Sequence, residues 1–159
     1  MGENHEKKVR EILIKELKEA KKSIRIVSAY FLDMEIIGMI KEKAKDGVKA
    51  EIIMYDDFIN SPVVSELNVN NIKLLFYGFK NYNPIIYQKY CIIDGELLVS
   101  GYNSWSYAAC EREHDEFLVT NNEKGLVSGY LKKFDSLAKH CGFSRLVHVK
   151  DIFSILKYF

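Results

Sequence analysis

At 159 residues, 48% hydrophobic and 28% charged, the chain has the material for one domain with its own core, and it is too apolar to read as disordered. A formal net charge of +1 excludes a global pull towards nucleic acid or an anionic membrane, so any phosphate binding must come from a local cluster. No run approaches the ~18 apolar residues of a spanning helix and the acidic, lysine-rich start lacks a signal-peptide core, so a single cytoplasmic domain over 1–159 is expected, without a membrane span.

Residues 4–21 carry Val9, Ile12, Leu13, Leu17 and Ala20 at helical spacing among charges of both signs, which predicts an amphipathic first helix. Residues 23–30 alternate and are rich in β-branched side chains, as a strand is. Asp33 is placed to cap a helix whose apolar stripe is Ile36, Ile37, Ile40 and Ala44, stopped at Asp46-Gly47. Residues 48–55 form a second strand, and a strand-helix-strand unit of this length predicts parallel pairing. Ser61 then reads as a cap with Pro62 at the first helical position, followed by a short helix through Leu67 and a third strand over 72–77. Residues 78–85 hold glycine, asparagines and Pro84, which predicts a loop whose Lys80, Tyr82 and Asn83 are either ordinary solvated residues or reach over the candidate site that follows.

Residues 86–93 alternate again, putting Tyr87 and Lys89 on one face and Tyr90 and Ile92 on the other. Asp94-Gly95 is a tight-hairpin signal, and the antiparallel strand over 96–100 delivers Gly101 beside the start of its partner. The hydroxyls of Tyr102, Ser104 and Ser106 follow directly. A short helix over 106–112, a strand over 116–120 and a helix over 123–140 complete the pattern, the last with Leu126, Tyr130, Leu131, Phe134, Leu137 and Ala138 as its apolar face. The aromatic, apolar tail VHVKDIFSILKYF must dock on its own domain or on a neighbour. Cys91, Cys110 and Cys141 lack CxxC spacing and read as small apolar fillers, and the four histidines form no ligand pattern, so neither metal nor cofactor is implied.

The stretch from Tyr87 to Glu116 resembles the phospholipase D superfamily, whose motif is His-x-Lys, four residues, Asp, six residues, then Gly-Ser-x-Asn. Lys89 matches the lysine, Asp94 the aspartate after YCII, and Gly101 the glycine after GELLVS, without a gap. Trp105 and Ser106 match the aromatic and hydroxyl residues that commonly follow, and Glu116 falls where the family has an acidic residue that orients the histidine. The departures fall on the chemistry: Tyr87 replaces the nucleophilic histidine, Tyr102 the serine and Ser104 the asparagine. The resemblance implies an α/β fold, a mixed and largely parallel β-sheet flanked by helices, laid out as one phospholipase-D-like repeat. It also implies a homodimer, because in the family two motif copies build one site.

On this reading the catalytic positions are Tyr87, Lys89, Asp94 and Glu116, and the phosphate-binding positions Lys89, Gly101, Tyr102 and Ser104. A phosphodiester accumulates charge on its non-bridging oxygens, which a fixed lysine stabilises. What is missing is a group both basic and nucleophilic at neutral pH, since a phenol titrating near ~10 is mostly protonated there. Three functions are open: a degenerate domain that binds phosphodiesters, nucleic acid foremost, or serves as a dimeric assembly module; an active phosphodiesterase or nuclease using Tyr87 with Lys89; and a structural protein with a vestigial site. His114, near Glu116, is a substitute base only if it is not an ordinary surface histidine.

Overall fold

The computed structural model describes residues 2–56, 60–77, 89–101, 118–121 and 123–142. Among them four helices and six strands alternate: α1 (Gly2–Glu19), β1 (Ser23–Val27), α2 (Met34–Lys45), β2 (Lys49–Tyr55), α3 (Ser61–Glu66), β3 (Ile72–Tyr77), β4 (Tyr90–Ile93), β5 (Leu97–Ser100), β6 (Leu118–Thr120) and α4 (Lys124–Ala138). They build one mixed sheet in the order β3-β2-β1-β4-β5-β6. β3, β2 and β1 are parallel neighbours, β4 is antiparallel to β1, and β5 and β6 each reverse again. Four of the six strands thus run the same way, as the α/β expectation of a largely parallel mixed sheet requires.

Both faces of the sheet are covered, so the inner strands lack an exposed polar side. All four residues of β4 are buried. Val9, Leu13 and Leu17 of α1, the stripe Ile36, Ile37 and Ile40 of α2, and Val63 of α3 pack on Ile24, Ile26, Ile52, Cys91 and Ile93. Val127 and Phe134 of α4 cover Val27, Ile53, Tyr90 and Ile92 on the opposite face. Each fully buried leucine or isoleucine contributes about 1.5–3 kcal/mol relative to exposure.

Local rules account for most element ends. Asp33 caps α2 with hydrogen bonds of 3.2 Å from the amides of Glu35 and Ile36. Its buried carboxylate also accepts two bonds from the Arg10 guanidinium, at 2.9 and 3.1 Å, which ties α1 to α2 and drives the Arg10 pKa upward. Gly47, with φ of 93°, supplies the left-handed residue that stops the helix.

Four expectations need correction. The strand expected over 23–30 ends at Val27, and residues 28–30 fall outside it. The cap of α3 is Asn60, one residue before Ser61, and its side chain makes no capping bond because it is used elsewhere. Ile12 is exposed rather than part of the α1 stripe, which runs Val9, Leu13, Leu17 at four-residue steps. On α4, Leu126 faces outward and Val127 takes the buried place, a rotation of one residue in the packed face. The expected loop over 78–85, the helix over 106–112, Cys110 and the apolar tail lie outside the described residues.

Candidate functional site at the carboxyl end of the sheet

The strand order dictates where a site can form. The chain moves outward from β1 to β2 to β3, then returns to lay β4 on the other side of β1. Connections leave a gap at such a reversal, and in open α/β sheets ligands bind there, beyond the carboxyl ends of the parallel strands. Val27, the last residue of β1, pairs with Tyr90, the first of β4, so Ser28 to Phe31 and Lys89 both enter this gap.

Lys89 is half-buried, and the ladder extends one pair past β4: the Gly101 amide donates to the Lys89 carbonyl at 2.9 Å. Gly101 has φ of 85°, where a side chain would be strained, so the glycine lets the chain turn out of β5 at the level of the lysine. At this same end of the sheet Leu118, the first residue of β6, pairs with Ser100. Tyr87, Tyr102, Ser104, Glu116 and His114 are outside the described residues, and so are Trp105 and Ser106.

Asp94 sits at the other end of the hairpin, five residues from Lys89 and so about 16 Å along the strand. With φ values of 54° at Asp94 and 70° at Gly95, the two form the expected tight turn. The Asp94 carboxylate accepts from the backbone amides of Lys21, Lys22 and Ser23, at 3.0, 2.6 and 3.0 Å, where α1 passes into β1. Desolvation pulls this carboxyl up, but the three amides together outweigh it and leave its pKa below the ordinary value. Asp94 is therefore a clamp between the hairpin and the α1–β1 joint. The cleft beside it, about 720 Å³, has lysines 18, 21, 22 and 43 balanced by Glu16, Glu19, Glu96 and Asp94, and so offers no net charge to a phosphate.

Asp94→Ala is expected to lower stability by about 1–2 kcal/mol, the range for losing charge-assisted bonds at a partly exposed cap. Because the folded pKa is depressed, this contribution is complete above the unfolded pKa of ~3.9 and is lost as pH falls through the folded value. Urea midpoints of wild type and Asp94→Ala should thus differ at neutral pH and converge in acid. A constant difference down to the acid transition would contradict the clamp.

Sequence reasoning missed the residues that shape the gap itself. The Asn60 side chain, fully buried, accepts from the Phe31 amide at 3.0 Å and donates to the carbonyls of Ala29 and Tyr55 at 2.8 and 2.9 Å. The Ser28 hydroxyl donates to the Tyr30 carbonyl at 2.6 Å. Tyr30 stands edge-on to Tyr55, with ring centroids 5.7 Å apart and planes at 81°. The only local signal was Asn60 itself, a polar residue ahead of Ser-Pro. On the opposite face of β4, Tyr90 is buried edge-on against Tyr130, and burial raises its hydroxyl pKa well above the usual value.

Among the described residues no group of three or more His, Cys, Asp or Glu side chains is arranged to hold a metal ion, and no helix is long and apolar enough to cross a membrane. Burial raises the Cys91 thiol, and that of Cys141 to about 11, so neither is an activated nucleophile.

A family model described as "Cardiolipin synthase, PLD-like domain" matches residues 13–138. Comparison with curated protein sequences gave no match. Among solved structures, NucT from Helicobacter pylori is similar at 25% identity and a TM-score of 0.74, over 88% of this chain and 94% of that one. Nuc from Salmonella typhimurium, a phospholipase D family member, is similar at 20% identity and a TM-score of 0.70, over 84% of this chain and 88% of its own. TrmBL2, an archaeal chromatin protein, shares the fold at 15% identity and a TM-score of 0.62, with 86% of this chain covering 51% of that one.

Proposed function

The chain belongs to the phospholipase-D-like domain family, and from that premise we propose that it binds a phosphodiester, nucleic acid foremost, at the carboxyl end of its sheet without cleaving it by the family's histidine route. The observation that carries this reading is the pairing of Lys89 with Gly101 at the strand-order reversal, which keeps the family's lysine and glycine in register while residue 87 is a tyrosine. Lys89 supplies the fixed positive charge for a non-bridging oxygen. Gly101 turns the chain out of the strand at the level of the lysine, and Tyr102 and Ser104, which follow it in the sequence, are the proposed hydroxyl donors. Tyr87 and Glu116 occupy the former catalytic positions, and Asp94 supports the hairpin from its far end. A symmetric homodimer that brings together two copies of Lys89 completes the site, since one phosphate oxygen pair is better held by two cations than by one.

The alternative in which Tyr87 attacks phosphorus uses the same lysine and is separated by product formation. The test is to titrate labelled single-stranded and duplex DNA and RNA at fixed salt, follow cleavage on the same samples, and measure molecular mass by light scattering. Lys89→Ala is expected to weaken binding by about 1–3 kcal/mol, and Lys89→Arg to restore only part of it. Equal affinity of wild type and Lys89→Ala across a salt series would remove phosphate binding at this site and leave the structural reading.

A further inference from the structure

We propose that Tyr30, braced edge-on by Tyr55 beside the strand-order reversal, is a stacking surface for a nucleobase, so that the ligand of this site is single-stranded nucleic acid rather than a lipid headgroup. The inference rests on the phosphodiester reading above and names its substrate class.

Tyr30 is 37% exposed although its neighbours Ala29 and Phe31 are buried, at 6% and 0%. The backbone that carries Tyr30 is pinned on both sides. The Ser28 hydroxyl holds the Tyr30 carbonyl, while Asn60 holds the Ala29 carbonyl and the Phe31 amide. The Tyr55 amide donates to the Ala29 carbonyl at 3.1 Å, which fixes the two tyrosines relative to each other. Beside this edge-to-face contact Tyr30 stays 37% exposed, so the residue remains within reach of a second, stacked partner.

Position supplies the rest. Tyr30 follows Val27 by three residues and Lys89 precedes Tyr90 by one, and Val27 pairs with Tyr90. A cation for the backbone phosphate and an aromatic for the attached base thus leave paired strands at the same end of the sheet, the combination used to bind single strands without reading their sequence. A base in a duplex is stacked and paired already, and a glycerol headgroup has no π-face. Only an unpaired base matches both groups.

The test compares fluorescence anisotropy of a short labelled single strand, its duplex and an abasic strand of equal length, at fixed salt. Wild type, Tyr30→Ala, Tyr30→Phe and Lys89→Ala are measured alongside, with urea midpoints to confirm folding. Wild type is expected to bind the base-bearing strand about tenfold more tightly than the abasic strand, the scale of one base–aromatic stack. Tyr30→Ala should erase that ratio while leaving the abasic strand's affinity unchanged, and Tyr30→Phe should keep it. Equal affinity of wild type for the two strands, or an equal loss on both in Tyr30→Ala, overturns the stacking role while Lys89 sensitivity keeps the phosphodiester reading. Insensitivity of both strands to Lys89→Ala overturns the two together.

Discussion

Replacing Asn60 by leucine is expected to destabilise the protein by about 2–4 kcal/mol, because a fully buried amide that serves three backbone groups is exchanged for a side chain that serves none. The Phe31 amide and the Tyr55 carbonyl lose this partner, and the Ala29 carbonyl keeps its bond from the Tyr55 amide. The groups that lose Asn60 cost about 1–3 kcal/mol each if nothing replaces it, and relaxation of the 28–31 segment reduces that sum. Asn60→Asp should not rescue the loss, since a carboxylate keeps the acceptor for Phe31 but loses both donors and buries a charge. Urea unfolding followed by circular dichroism measures it; an Asn60→Leu midpoint within error of wild type would show that the segment is held by other means. The same substitution should erode binding at the strand-order reversal, since Asn60 sets the path of Tyr30.

How far the fold was legible depended on whether each signal was local. Asp33 with its stripe of Ile36, Ile37, Ile40 and Ala44 located α2 to the residue, because capping and helical spacing are properties of adjacent positions. β3 at 72–77 is legible from a short apolar, aromatic run bounded by asparagines and glycine. Tertiary contacts decide the differences: the α3 cap position falls on Asn60 rather than Ser61, with the Asn60 side chain engaged by carbonyls five and thirty-one positions off, Ile12 drops out of the α1 stripe, and Val127 takes the buried place expected of Leu126. The Lys89–Gly101 pairing was readable from the hairpin, whose register is set by the Asp94-Gly95 turn. That Asp94 would hold amides more than seventy residues away was not, since the motif gave it a place in the chemistry and said nothing of the α1–β1 joint.

The largest effect on chemistry is expected from Tyr87→His, which should raise phosphodiester turnover by about 10² or more over a wild type at background, the range for restoring a positioned nucleophile and proton-transfer group. To act as a nucleophile near neutrality, Tyr87 would need its pKa lowered by several units, each costing about 1.4 kcal/mol. On the proposed dimer, two copies of Lys89 would supply part of that lowering, and an ionised Glu116 at the family's acidic position would oppose it, because a nearby negative charge raises a phenol's pKa. Histidine needs no such shift, and in Tyr87→His the same Glu116 becomes an asset, since a carboxylate orients an imidazole and stabilises its protonated form. Lys89 and Gly101 are already paired across the hairpin, so on the proposed reading the substitution at residue 87 is the change with the largest expected effect. A chromogenic phosphodiester and nucleic acid, each with and without divalent metal, are incubated with wild type, Tyr87→Phe and Tyr87→His. Wild-type turnover that Tyr87→Phe abolishes, accompanied by a covalent phosphotyrosyl adduct in the mass spectrum, would reverse the conclusion and make Tyr87 the nucleophile. Silence in all three would place the deficit beyond residue 87, in the replacement of the motif's serine and asparagine by Tyr102 and Ser104.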